Sequence, residues 1–486
     1  MELEFRTIWL SITILHVAIQ LMLSVRVVMR RRPVGVTFAW LTIILSVPFV
    51  GAIVYLLVGE LRLGTRRATA VNLIHGPLIA WLKEHSHWDE EAWIGLPDAR
   101  RDLARLAESA TGLPPLAGNH LELIPGADDA FARLIADIEA ARESVYLEFY
   151  IWHAGGWADR VGAALLRAVE RGVHCRVLLD DVGSRTFLQS GQTEELRSAG
   201  VHVAAALPVS LLRTLFQRYD LRLHRKIVVI DQQIGYVGSL NLVDPRYFKT
   251  NAGVGQWVDA LARIRGPAVQ ALGITFLEDW QVETGESGRA LGASLVQSPA
   301  ARAGSAIIQV LPSGPAVHAL TIQEVLLMAI YAARREITLT SPYFVPEETL
   351  QAALIGAARR GVRVRLIVPA KEDSLLVRFA SQAYRGDLAA AGVEVLEFTG
   401  GLLHTKSVMI DGELSLFGSL NLDPRSFFLN FEVTMAVYDV QFATDLGALQ
   451  ESYVRSCRKL DYNEWNSRSA PRKFAQNVAR LVGPLL

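Results

Sequence analysis

The chain carries nearly the same nineteen-residue segment twice. LHRKIVVIDQQIGYVGSLN runs from Leu223 to Asn241, and LHTKSVMIDGELSLFGSLN runs from Leu403 to Asn421, 180 positions later. Laid over each other without a gap, His224, Lys226, Asp231, Gly238, Ser239 and Asn241 fall on His404, Lys406, Asp411, Gly418, Ser419 and Asn421. A duplication that keeps polar and glycine positions in register restricts the fold to one that uses the same element twice. It also asks what chemistry needs two copies.

The segments sit inside a longer repeat. From His120 the first half reads as strand LELI, turn PGADD, a helix with Phe131, Leu134, Ile135 and Ile138 on one face, and strand SVYLEFYI. The second half reads as strand IIQVL, turn PSGP, a helix over about 317–335, and strand EITLTSPYF. A further helix and strand follow in each, RAVERGVHCRVLLD (167–180) and GAARRGVRVRLIVP (356–369), and then AGVHV and AGVEV. Apolar residues three and four apart make the helices, and short β-branched runs make the strands. Alternating strands and helices predict an α/β sheet in each half. The period of roughly 165–180 residues marks a duplicated domain and not a solenoid. We expect the first domain over 120–290 and the second over 305–460.

The halves differ before the histidine. The first carries additional residues, LPVSLLRTLFQRYDLR, in which Leu211, Leu212, Leu215 and Phe216 stand among Arg213, Arg218 and Arg222. This reads either as a surface helix packed on the core or as an interfacial helix in lipid.

Half of the chain is apolar, and the surplus lies at the N-terminus. Thr7 to Val25 is nineteen residues without a formal charge and Val34 to Val58 is twenty-five more, separated by Arg30-Arg31-Arg32-Pro33. A span needs roughly 20 apolar residues, so both qualify by length. The start contains Glu2 and Glu4 instead of a basic n-region, which argues against a cleaved signal peptide. The expectation is a transmembrane helical hairpin over 1–59, with His16 packed between its helices. Arg26, Arg30, Arg31 and Arg32 in the loop region balance Arg6, Arg62, Arg66 and Arg67 on the flanks, so the charge bias assigns no side to the rest of the chain. A connecting region follows over 60–119, with Trp81, Trp88 and Trp93 placed for a membrane interface or for the next domain, and a helix from Asp98 to Ala110. The end, 461–486, carries Phe474, Val478, Leu481, Val482 and Leu485 on one helical face beside Arg472, Lys473 and Arg480, a basic amphipathic tail.

Lys plus Arg and Asp plus Glu number 49 each, so no global field argues for nucleic acid. Cys175 and Cys457 are the two cysteines, which excludes a disulfide framework and a cysteine-built metal site. Cys175 falls in a strand-like run and reads as a small buried hydrophobe.

In HRKIVVID side chains alternate, so His224 and Lys226 project from one face of a strand, as do His404 and Lys406. If the two copies meet about a pseudo-twofold, one pocket gains two histidines, two lysines, two asparagines and two serines. Such a pocket suits a phosphodiester, whose transition state spreads negative charge over equatorial oxygens. One imidazole attacks phosphorus and the other protonates the leaving oxygen. Lysines neutralise the charge, and one carboxylate per copy is too few for a metal clamp, so no cofactor or metal is expected. Asp231 and Asp411, seven residues after each histidine, read from position alone as anchors of the motif strands.

HxKxxxxD followed by GSxN is the signature of the phospholipase D superfamily, and both copies are complete. NLVDPRYF (241–248), GVGQWVD (253–259) and LNLDPRSFFLNFE (420–432) further resemble bacterial cardiolipin synthases with two N-terminal spans. The resemblance implies a mixed α/β sheet flanked by helices in each domain, and a catalytic set of His224, Lys226, Asp231, His404, Lys406 and Asp411. Ser239, Asn241, Ser419 and Asn421 would bind phosphate. It implies an acidic residue orienting each histidine: by distance along the chain, Asp259 for His224 and Glu432 for His404. It implies His224 as nucleophile and His404 as acid and base, a phosphohistidine intermediate, and phosphatidylglycerol converted to cardiolipin and glycerol at the bacterial inner membrane by a multi-pass protein. Oligomeric state is not legible. A phospholipase D hydrolase, a transferase using another alcohol, a nuclease and a non-catalytic membrane scaffold are the competing readings. Neutral charge speaks against the nuclease, and two intact motifs speak against the scaffold.

Overall fold

The computed structural model of the chain describes residues 2–30, 34–60, 75–84, 93, 95–209, 218–286, 300–315 and 320–481. Arg31, Arg32, Pro33, Arg62, Arg66, Arg67, Trp88, Leu211, Leu212, Arg213, Leu215, Phe216, Val482 and Leu485 lie outside the described residues. The chain divides into two compact units, Met1–Thr65 with Val209–Leu221, and Arg66–Pro208 with Arg222–Leu486.

In the first unit, helix α1 runs over Glu2–Met29, α2 over Val34–Ser46 and α3 over Val50–Val58. Among the described residues only α1, from Glu4 to Met29, is long and apolar enough to cross a membrane. The expected second span is not one helix. It breaks around Pro48, whose ring removes a donor from the helical ladder, and Phe49 turns the chain at φ 55°. The thirteen residues of α2 rise only about 20 Å, against roughly 30 Å of hydrocarbon. The turn lets α3 fold back on α2: a Cβ at Gly51 would stand 2.2 Å from the Ile43 carbonyl oxygen. Leu23, Val27, Trp40, Ile44, Ala52 and Tyr55 form the core of this unit. His16 lies against Phe49, ring centroids 4.6 Å apart, so it does pack between the apolar segments. Buried Glu60 accepts hydrogen bonds from the Arg26 guanidinium and from the Tyr55 hydroxyl.

The second unit is built on one large sheet and a separate two-stranded one. Its strands are β1 Leu116–Pro125, β2 Ser144–Phe149, β3 His174–Asp180, β4 His202–Ala206, β5 Arg222–Leu223, β6 Ile227–Ile230, β7 Ile234–Gly238, β8 Trp257–Val258, β9 Ala260–Arg265, β10 Ala306–Ser313, β11 Glu336–Thr340, β12 Arg363–Pro369, β13 Glu394–Phe398, β14 Leu402–Leu403, β15 Ser407–Ile410, β16 Leu414–Gly418, β17 Asn430–Tyr438 and β18 Cys457–Lys459. The order is β18-β13-β12-β11-β15-β16-β17-β10-β1-β9-β7-β6-β2-β3-β4. Read outward from the central antiparallel pair β1–β10, the two halves match strand for strand except that β18 adds an edge strand to the second. The duplicated domains therefore share one sheet about a pseudo-twofold axis.

Each half has its own apolar core. Phe131, Leu134 and Ile138 from the helix Ala127–Ala140 fill the first, with Val145, Leu147 and buried Cys175. Ile322, Val325, Leu326 and Ile330 fill the second with Leu339 and Leu366. The helix Asp98–Thr111 also joins the second core, through Leu103, Ala104 and Ala107, and Trp93 packs there too. The connecting segment is thus partly a piece of the second half, and Trp93 takes the packed alternative.

Candidate functional site

Two short parallel pairings decide the site. β5, immediately before His224, pairs with the start of β17 in the other half, Arg222 opposite Asn430 and Leu223 opposite Phe431. β14, immediately before His404, pairs with β8 of the first half, Leu402 opposite Trp257 and Leu403 opposite Val258. The backbone N–H of His224 then donates to Phe431 O, and that of His404 to Val258 O, both at 2.8 Å. The next residue on each partner strand is an acid. His224 Nδ1 lies 2.8 Å from Glu432 Oε2, and His404 Nδ1 lies 2.7 Å from Asp259 Oδ1. The two acids are the expected ones, but the pairing is crossed: Glu432 serves His224 and Asp259 serves His404. Position along the chain suggested partners within one copy, whereas the pseudo-twofold places each histidine against the other copy's strand.

Glu432 and Asp259 are buried. Burial opposes their ionised forms, yet the adjacent imidazoles and lysines and a serine hydroxyl hold both below the usual carboxylate range. An ionised carboxylate only accepts, so each histidine donates from Nδ1 and leaves Nε2 with its lone pair. Burial, with the lysine charges, pushes both imidazoles down to about 4 despite the carboxylates. Burial likewise pushes Lys226 down to about 7 and Lys406 to about 8. Each ammonium bonds back to its own histidine's carbonyl, Lys226 Nζ to His224 O and Lys406 Nζ to His404 O, both 2.6 Å. Each lysine also acts on the other copy's histidine, so the four groups form one electrostatic cluster.

The remaining expected residues divide. Asn241 and Asn421 reach the same cavity as the histidines, a space of about 650 Å³. Asn241 Oδ1 accepts from Ile151 N at 3.2 Å, and Asn421 Nδ2 donates to Ser426 Oγ at 3.2 Å. Ser239 and Ser419 do not line it. They are fully buried; Ser419 Oγ donates to Glu432, while Ser239 Oγ donates to Ala260 O at 3.3 Å and accepts from Ala260 N. Ser419 therefore helps hold one orienting carboxylate, and the Ser239 hydroxyl lies close enough to lower the pKa of the other. The glycine before each is required by close approach: a Cβ at Gly238 would stand 2.4 Å from Ala260 O, and at Gly418 2.2 Å from Val433 O.

Asp231 and Asp411 are not in the cavity either. Asp231 accepts from the N–H groups of Arg142, Glu143 and Ser144, and Asp411 from those of Arg334, Arg335 and Glu336, all within 2.9 Å. Each ties the end of its motif strand to the start of β2 or β11. These bonds match the strand-anchoring role read from position alone.

Several lining residues were given no role in the site by the sequence reading. Tyr150 lies against His224, with ring centroids 5.0 Å apart, and Trp257 lies against His404 at 4.2 Å. Arg222, Arg425 and Asn430 line the cavity, and Asn430 Nδ2 donates to Glu432 Oε1 at 3.1 Å. Arg225, between the motif histidine and lysine, donates to Glu432 O and pairs with Asp279. The aromatic residues ending SVYLEFYIW and preceding each acid were the available signal.

Comparison with known proteins completes the picture. The family described as "Cardiolipin synthase, PLD-like domain" matches residues 134–280 and 326–452, and "Phospholipase_D-nuclease N-terminal" matches 18–60. Cardiolipin synthase A from Escherichia coli O1:K1 and from the K12 strain DH10B are each 44% identical to the chain over 468 residues, 95% of this chain and 95% of theirs. The chain belongs to the cardiolipin synthase family. This is a family of phosphatidyltransferases within the phospholipase D superfamily. The crystal structure of phosphatidylserine synthase from Haemophilus influenzae Rd KW20 is 16% identical, with a TM-score of 0.60 over 79% of this chain and all of that one, a likeness of fold.

Proposed function

We propose that this cardiolipin synthase family member transfers a phosphatidyl group between two phosphatidylglycerol molecules, giving cardiolipin and glycerol, at a bacterial inner membrane. The observation that carries the reading is that two histidines, each held at Nδ1 by an ionised carboxylate, share one cavity with two asparagines. His224 Nε2 attacks phosphorus while Lys226, Lys406, Asn241 and Asn421 take the developing charge on the non-bridging oxygens. The incoming phosphodiester restores positive charge to the buried lysines and favours an imidazolium at His404, which protonates the departing glycerol. His404, then neutral, removes the proton from the primary hydroxyl of a second phosphatidylglycerol. That oxygen bonds phosphorus as the bond to His224 breaks. Asp259 and Glu432 fix the tautomers throughout.

Helix α1 anchors the protein in the bilayer as one pass, and α2 with α3 supplies the remaining membrane-embedded part. The C-terminal helix Ala470–Leu481 exposes Phe474 and Val478 with Arg472 and Lys473 nearby, a surface suited to anionic lipid.

The test uses the full chain in phosphatidylglycerol vesicles, following cardiolipin, phosphatidic acid and glycerol together. Equal cardiolipin and glycerol, absent in His224→Ala and His404→Ala, supports transfer. Phosphatidic acid as the main product replaces the synthase reading with a hydrolase.

A further inference from the structure

The pseudo-twofold relates the two ends of the cavity, so a residue at one end has a counterpart at the other. The β-bridges Trp152–Leu242 and Phe344–Leu422 fix the correspondence along β2 and β11. Tyr343 at the His404 end corresponds to Ile151 at the His224 end. Through the pairing of β3 and β12 with those strands, Asp373 corresponds to Ser184. At the His224 end these positions hold an isoleucine and a serine whose hydroxyl is taken by Tyr150 O and Trp152 N. At the His404 end they hold a phenol and a carboxylate bonded to each other, and the Lys249 ammonium joins them there.

That trio is built and not incidental. Asp373, 7% exposed at its side chain, accepts from Tyr343 Oη at 2.7 Å and from Lys249 Nζ at 3.0 Å. Tyr343 and Lys249 line the cavity. Lys249 Nζ stands 5.6 Å from the Trp257 ring centroid, and the Trp257 ring lies against His404. Asp373 is near enough to His404 for their charges to interact. Lys249 also has φ 49°, a left-handed backbone uncommon outside glycine and asparagine, so its placement carries strain that the surroundings sustain. With its proton committed to Asp373, the Tyr343 oxygen offers lone pairs, and Lys249 keeps donors beyond the one given to Asp373.

We propose that Tyr343, Lys249 and Asp373 form the alcohol subsite, which takes a neutral polyol headgroup first as leaving glycerol and then as acceptor. The proposal rests on the phosphatidyl-transfer reading above and deepens it. A vicinal diol supplies both a donor for the phenol oxygen and an acceptor for the ammonium, over the Trp257 face. An ethanolamine cation would meet the Lys249 ammonium and be disfavoured. The subsite lies beside His404, so the alcohol proton goes to His404 Nε2 as the alcohol oxygen bonds phosphorus and the phosphorus–His224 bond breaks. This gives the two histidines unequal roles despite their equal motifs.

The experiment runs the reaction backwards on the full chain, with cardiolipin vesicles and free glycerol or ethanolamine as acceptors, measuring phosphatidylglycerol, phosphatidylethanolamine and phosphatidic acid. Removing one such hydrogen bond should raise the KM for glycerol about tenfold. We expect this for Tyr343→Phe and Lys249→Met, with kcat at saturating glycerol nearly kept and the preference for glycerol over ethanolamine reduced in Lys249→Met. Asp373→Asn should act in the same direction; should it not fold, the other two test the contact separately. An unchanged glycerol KM, or an equal fall for every acceptor and for water, overturns the subsite. Phosphatidic acid alone from the wild-type protein at every glycerol concentration overturns the transfer reading, and the subsite with it.

Discussion

His224 Nδ1 lies 2.8 Å from a carboxylate oxygen of Glu432, a residue 208 positions away in the other half of the chain. The reciprocal contact joins His404 to Asp259. Neither half alone completes an oriented histidine. Two predictions about the pairs follow from the crossing. In histidine-labelled protein, the Nδ1–H proton resonance lost in His224→Ala is also lost in Glu432→Gln, and the one lost in His404→Ala is lost in Asp259→Asn. Grouping of His224 with Asp259 would contradict the geometry. Either carboxylate substitution should slow turnover by about 10²–10⁴, the range for a misplaced acid or base.

The serines and asparagines of the GSLN segments should separate kinetically. Ser419 bonds Glu432, whereas Asn241 and Asn421 face the cavity. Ser419→Ala is expected to lower kcat with little change in the KM for phosphatidylglycerol. Asn241→Ala and Asn421→Ala are expected to lower kcat/KM further, by about 10²-fold for a lost oxyanion donor. Initial rates in mixed micelles distinguish the two patterns.

Asp411 acts on stability. Burial raises its carboxyl, but three backbone N–H donors and the nearby Arg100 outweigh this and hold it below the usual range. Asp411→Ala should lower stability by about 2–4 kcal/mol through three unmet donors, read as a fall in thermal midpoint, with activity per folded molecule largely kept. Because the folded pKa is depressed, the contribution is present above the unfolded value near ~3.9 and is lost as pH falls through the folded one. The gap between variant and wild type should therefore narrow in strong acid.

The pH profile of kcat/KM should be set by the buried bases. Neutral imidazole is required for attack, so the acid limb should fall near the value of about 4 reached by His224. Charged lysines are required for the phosphate, so the alkaline limb should fall between about 7 and about 8. The depressed histidines also stabilise the fold fully only above their unfolded value near ~6.5, and that contribution is lost as pH falls from there toward about 4. Rates and thermal midpoints across pH 4–9 check both.

Much of this was legible because periodicity and the duplicated motif constrain it directly. The alternation of short strands and helices matches the paired halves of the sheet, and the helix expected at Asp98 is present. The two histidines and two asparagines line one cavity, and each motif lysine bonds its own histidine's carbonyl. Three features were not legible, each for a physical reason. The crossed pairs depend on two-residue pairings, β5 with β17 and β14 with β8, too short to show in any pattern. A serine hydroxyl has the same donor and acceptor whether it meets a phosphate or a carboxylate, so type alone does not give its role, whereas the anchoring by Asp231 and Asp411 was readable from position. The second apolar stretch has the composition of a span, and one turn at Pro48 and Phe49 breaks it.

The central claim is that two equal motifs do unequal work, His224 carrying the phosphatidyl group and His404 the proton. The most direct measurement is acid quenching of the full chain during turnover with phosphatidylglycerol, followed by peptide mass mapping of the covalent adduct. The account predicts a phosphatidyl group on the peptide containing His224, and its accumulation in Glu432-intact, Asp259→Asn protein whose second step is slowed. An adduct on the His404 peptide would contradict it.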